Sequence, residues 1–199
     1  MKTAHLVHGF NVTDGGANTT DKLRPHFEAR GFRVVEHDTA WGHSLIRNLL
    51  SVRFGNAKRS EALAQKIKSG DLLVGHSNGC LLISMACWLL AQLEETAGVR
   101  VVLFNPAMDV DTPLSPVISN ALVFHTKSDR TVWSAKLLRG HRWGEAGRVG
   151  LGGVSSSRVH NCAYETLGFA DLKHSGIFAD EKALNSALRA FDDWMEETA

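Results

Sequence analysis

The chain has 199 residues, 44% hydrophobic and 22% charged, the make-up of an ordinary globular fold with enough material for a sizeable core. Twenty-two basic and 21 acidic side chains leave a formal charge of +1, with neither the basic block of a nucleic-acid face nor an acidic tail. Ten histidines are more than usual, yet none stands in a His-x-x-Glu-His or similar metal-ligand spacing.

Short apolar runs alternate with longer helical patterns, the rhythm of βαβ units and a parallel sheet. The first predicted strand, Ala4-His5-Leu6-Val7, ends at His8-Gly9-Phe10. A polar loop follows over 11–18, then a helix capped by Thr19 or Thr20 that runs to about Arg30 and stops at Gly31. The second strand is Phe32 to Glu36. Residues 41–55 have mixed periodicity and read as a short amphipathic helix, with a separate helix from Asn56 to Ser69. The third strand, Asp71 to Val74, leads into Gly75-His76-Ser77-Asn78-Gly79 and then the most apolar helix, Cys80 to Gln92. Further strands are expected at Val99–Phe104, Ala121–His125 and Val159–Cys162. The Gly-rich stretch from Gly140 to Gly153 reads as a long loop, and an amphipathic helix, Glu181 to Met195, closes the chain. No repeat or linker divides it, so one domain over 1–199 is expected.

The cysteines are Cys80, Cys87 and Cys162, an odd number without regular spacing, which reads as free thiols in a reducing compartment. The apolar run near Met1 is too short for a secretory signal. The longest apolar stretch, Cys80 to Ala91, falls short of the roughly 20 residues that span a bilayer. A cytoplasmic protein without a membrane span is the expectation.

A Gly-x-Ser-x-Gly string is weak alone, but this one joins an apolar strand directly to an apolar helix. Such a junction needs a sharp turn, which lifts the Ser77 hydroxyl clear of the sheet. Flanking glycines remove Cβ atoms that would clash as strand and helix close together. The helix that follows aims its N-terminal amides at the same spot, making the N–H of Asn78 a donor to an oxyanion.

In the place and flanks of Gly75-His76-Ser77-Asn78-Gly79, the sequence resembles the α/β-hydrolase superfamily, and His8-Gly9-Phe10 after the first strand resembles its oxyanion element. The resemblance implies a three-layer α/β-hydrolase-like fold of about six mostly parallel strands, in the order 2-1-3-4-5-6, with helices on both faces. It lacks the extra N-terminal hairpin strands of larger members. The N–H of Phe10 would be the second oxyanion donor. A serine hydroxyl needs a base and an orienting acid, found in this superfamily in the order serine, acid, histidine. Asp129 fits the acid, with Asp109 and Asp111 as alternatives. His174 fits the base, with His160 as its rival, and Asp171 is a poorer local orienter. His8 is expected to shape the oxyanion loop, and His76 to pack.

The implied activity is cleavage of an acyl bond, a carboxylic ester foremost, by a Ser77-His174-Asp129 triad with no metal or organic cofactor. Only about 15 residues, Asn105 to Asn120, separate the fourth and fifth strands where larger relatives insert a cap. An open site for a small-molecule or polymer-borne acyl substrate follows, with Trp41 and Trp133 as substrate-binding candidates beside Trp143. Thioester and amide cleavage stay open, as does a catalytically silent relative serving as a binding module. A nucleotide-binding doubly wound fold is disfavoured. Gly15-Gly16 lies too late after the first strand and brings neither Gly-x-Gly-x-x-Gly nor a P-loop lysine.

Overall fold

The computed structural model describes residues 1–10, 16–37, 45–93, 98–131, 144–152 and 157–198, with the helical backbone alone over 45–54. Six strands form one sheet: β1 (Thr3–Val7), β2 (Arg33–His37), β3 (Leu72–His76), β4 (Val99–Phe104), β5 (Ile118–His125) and β6 (Val159–Ala163). Their order is β2-β1-β3-β4-β5-β6 and every neighbouring pair is parallel. That is the order expected from the resemblance.

Parallel strands return through helices that cover both faces, so the central strands are apolar on both sides. Alternate residues divide the core in two. Val7, Leu73, Val101, Leu103 and Val123 face the layer of α2 (Leu45–Ala64) and α3 (Asn78–Leu93). Leu6, Leu72, Val74, Val102 and Phe124 face α1 (Arg24–Ala29) and the C-terminal helix. Two one-turn helices, α4 (Ala146–Val149) and α5 (Gly176–Ala179), precede that last helix, α6 (Glu181–Glu197). Asp180 caps α6, accepting from the N–H groups of Lys182 and Ala183 at 2.9 and 3.0 Å. Among the described residues no helix is long and apolar enough to cross a membrane.

Three local expectations are corrected. Neither Thr19 nor Thr20 caps a continuous helix. A 3-10 turn, Thr20–Leu23, comes first, and the α-helix starts where Pro25 occupies its first turn. Proline has no N–H to give to an earlier carbonyl, so the helix begins there. The break read at Gly55-Asn56 is absent, and Leu45–Ala64 is one helix. A helical glycine costs only about 1 kcal/mol relative to alanine, less than burying Leu63 against the sheet returns. The Gly-rich stretch is not all loop, since it contains α4.

Strands β1, β2 and β3 also share a buried polar chain. Asp71 accepts from the N–H groups of Thr3 and Lys68, both at 2.9 Å, and from His5 Nε2 at 3.1 Å. With its Nε2 proton given to Asp71, His5 presents an Nδ1 lone pair to His37 Nε2, 2.8 Å away. Burial, helped by the neighbouring His5, pushes His37 down to about 4, and burial pushes His76 down to about 3. Both imidazoles are therefore kept neutral by the fold, while the unfolded chain takes up their protons near pH 6.5. Their contribution to stability is complete above that value and is lost as pH falls toward 4 and then 3. Urea unfolding is expected to show stability falling below about pH 6, by up to about 1.4 kcal/mol per pH unit for each of the two histidines. A His37→Gln variant should flatten that slope, and an unchanged slope would remove His37 from the account.

Candidate active site

β3 ends at His76 and α3 begins at Asn78, so Ser77 alone makes the connection. Its φ is +56°, in the left-handed region that costs an L-residue roughly 1–2 kcal/mol. Main-chain bonds impose it. Ser77 N–H donates to the Phe104 carbonyl at 3.0 Å, and its own carbonyl accepts from Cys80 and Ala107 at 3.1 and 3.2 Å. The flanking glycines are sterically required. A Cβ at Gly75 would lie 2.8 Å from Ile83 Cδ1, and one at Gly79 would collide with the Val7 carbonyl oxygen. A Cβ at Gly9 would stand 2.9 Å from that of Ser77, so the loop after β1 lies directly against the serine. Phe10 follows Gly9 in this loop. Asn78 opens α3, where first-turn amides point out along the helix axis. Its side chain is fully buried and accepts from Asn56 Nδ2 at 3.3 Å.

Asp129 and His174 meet 45 positions apart in sequence: His174 Nδ1 lies 2.7 Å from Asp129 Oδ2. The carboxyl is completely buried and the imidazole is 12% exposed. A carboxylate facing Nδ1 fixes the proton there, which leaves the Nε2 lone pair as the basic position. The two loops are tied by Ser128 Oγ, which donates to the Leu172 carbonyl at 2.5 Å.

A second buried chain holds the acid. Asn105 Nδ2 donates to the same Asp129 Oδ2 at 3.1 Å and to the Gly147 carbonyl at 3.4 Å, while Tyr164 donates its hydroxyl to Asn105 Oδ1 at 3.1 Å. Burial pushes the Tyr164 phenol well above its ordinary value, which keeps it a donor. Asn105 directly follows β4 and has a φ of +45°. Sequence reasoning passed over Asn105 and Tyr164. An asparagine at the end of a strand carried a usable signal, because Asn tolerates left-handed backbone better than most residues.

The imidazole of His174 packs against that of His76, the neighbour of Ser77, with ring centroids 4.9 Å apart. Among the described residues no hydrogen bond joins Ser77 to His174. Asp109 and Asp111 are exposed and line a cavity of about 850 Å³ between α2, α3 and the 109–113 segment, whereas Asp129 is the carboxylate that meets His174. His160 sits near the start of β6, opposite Leu122, while Ser77, Asn105 and Asp129 lie beyond the carboxyl ends of their strands. Asp171 is exposed. Trp41, Trp133 and Trp143 lie outside the described residues. Among those residues no cluster of three His, Cys, Asp or Glu side chains is arranged to hold a metal ion.

No protein-family model matches the sequence, and no curated protein matches it significantly. Solved structures do. The chain is similar to a monoacylglycerol lipase of Paleococcus ferrophilus at 14% identity and a TM-score of 0.60, covering 100% of this chain and 97% of that one. It is similar to a pyrethroid hydrolase of Sphingobium faniae at 13% identity and a TM-score of 0.55, over 98% and 97% of the two chains. An extracellular α/β-hydrolase of a Paenibacillus species gives 13% and 0.52, over 96% and 98%. The fold is therefore that of the α/β-hydrolases, with the strand order and crossover helices described above.

Proposed function

We propose that the protein is a serine hydrolase that cleaves an acyl bond, a carboxylic ester foremost, through Ser77, His174 and Asp129. The observation that carries this reading is the buried 2.7 Å pair of Asp129 with His174, whose ring packs at a tilt against that of the residue preceding a left-handed Ser77. The lipase and the pyrethroid hydrolase among the similar structures agree with it.

In this mechanism substrate binding draws Ser77 Oγ and His174 Nε2 together, since catalytic hydrogen bonds often tighten only in the Michaelis complex. Ser77 Oγ attacks the acyl carbonyl as His174 takes its proton. Asp129 holds the imidazole in its Nδ1–H tautomer and stabilises the imidazolium. The N–H groups of Phe10 and Asn78 receive the oxyanion, each worth about 3 to 4 kcal/mol in the transition state. The bond to the leaving group then breaks, and His174 returns the proton to it. Water, activated by the same imidazole, releases the acid and restores Ser77. The sequence calls on no metal or organic cofactor. Between β4 and β5 the described residues 105–117 contain no helix, which supports an uncapped site within one domain over 1–199, open to small or polymer-borne acyl groups. Trp41 and Trp133 are proposed to contact the substrate.

A fluorophosphonate probe is expected to label the wild type on Ser77 and not to label Ser77→Ala. A panel of esters of increasing acyl length, with thioesters and amides, run beside that variant then defines the leaving group. A well-folded wild type that neither reacts nor hydrolyses any of them would make the protein a binding module on this fold.

A further inference from the structure

His76 ends β3 and is 2% exposed. Its Nε2 lies 3.2 Å from the main-chain carbonyl oxygen of His174 and 3.5 Å from Ser175 Oγ, and its ring packs against those of His174 and Phe178, with centroids 4.9 and 5.1 Å away. The ionisable groups facing it are His174 and His8, and burial keeps it neutral far into the acid range. A neutral imidazole has one N–H, and a carbonyl can only accept, so the proton is on Nε2. Nδ1 is then a bare lone pair, buried beside Gly9 with no hydrogen-bond partner among the described residues.

That arrangement is a poor choice for packing alone. A buried polar atom left unsatisfied costs about 1–3 kcal/mol, and a phenylalanine would fill much of the same volume without it. What the histidine adds is a hydrogen bond from the residue bonded to Ser77 to the backbone of His174.

We infer that His76 is a positioning residue: its Nε2–H fixes the main chain of His174, as Asp129 fixes its ring, and so sets the distance between base and nucleophile. The inference rests on the serine-hydrolase reading above. Because Ser77 is the next residue in the chain, a shift of β3 carries nucleophile and anchor together. The neutral imidazole keeps its proton in the bond to the His174 carbonyl, the shorter of its two polar contacts, and acts through the position of His174.

The test compares His76→Phe, which keeps the ring, with His76→Gln, whose side-chain amide can reach the same carbonyl. His76→Phe is expected to lower kcat about 10- to 100-fold with KM within about twofold, as misplacing a catalytic group by about an ångström does. His76→Gln should recover most of the loss, and neither change should lower the urea midpoint in proportion. Should His76→Phe fold poorly, His76→Met supplies the donor-free comparison. Equal kcat in the donor-free and glutamine variants would overturn the proposal. A wild type that hydrolyses esters and labels on Ser77 in the same assays keeps that outcome separate from failure of the serine-hydrolase reading.

Discussion

His174→Ala is expected to lower kcat by roughly four to six orders of magnitude, the range seen when a serine triad loses its base. The argument starts from the hydroxyl. A serine at neutral pH is almost wholly protonated, and attack without a proton acceptor leaves the oxygen positively charged. Among the described residues the imidazole with its Nδ1 on a buried carboxylate is that of His174, and its Nε2 is the remaining acceptor. The ring is only part-buried in a loop, so removing it leaves both hydrophobic cores intact and the urea midpoint close to that of the wild type. Burst kinetics with a chromogenic ester, with a denaturation curve alongside, gives both numbers. Survival of activity in His174→Ala, with its loss in His160→Ala, would move the base to β6.

The second large effect concerns Asp129→Asn, for which a fall in kcat of about 10⁴ is expected. An asparagine amide facing Nδ1 can donate to it, which drives the imidazole proton to Nε2 and removes the lone pair needed at Ser77. Asn105 donates to the same Oδ2 that faces His174, so whichever amide atom takes that place meets both groups: an NH₂ there brings the wrong tautomer, and an oxygen there still lacks the charge that stabilises the imidazolium. Asp109→Asn and Asp111→Asn, both in the exposed loop, should leave kcat within a fewfold. Steady-state rates of the three variants on one ester decide which carboxylate serves, and a mild Asp129→Asn would return the role to Asp109 or Asp111.

Much of the frame was legible because the signals were local. Strands of alternating or continuous β-branched and leucine residues, punctuated by glycine, marked β1 to β5, and the Gly-x-Ser-x-Gly junction marked the turn at Ser77. The errors have local causes too. Thr19 and Thr20 looked like caps, but Pro25 set the start of α1. The mixed periodicity of 41–55 looked like a helix apart from the next, but packing against α3 kept α2 whole. At the site, Ser77 could be read from its neighbours, whereas the pairing of Asp129 with His174 is a contact across 45 positions and needed chain order as a guide. Tyr164 left no such trace, and Asn105 only the tolerance of an asparagine at a strand end for left-handed backbone. Their importance comes from burial and from a side-chain network that no single stretch of sequence encodes.

Ser77 and Asn105 stand at equivalent places, each just past a strand and each donating its N–H to a carbonyl at the carboxyl end of the next strand over, Phe104 for one and Phe124 for the other. The reactive geometry is thus wired laterally, strand by strand, to pairings made between remote parts of the chain. Such non-local pairings form late, because closing long loops is entropically unfavourable before contacts are gained. During refolding, helix content should recover well before competence to react with a serine-directed reagent. Covalent capture of that hydroxyl would then serve as a clock for completion of the sheet.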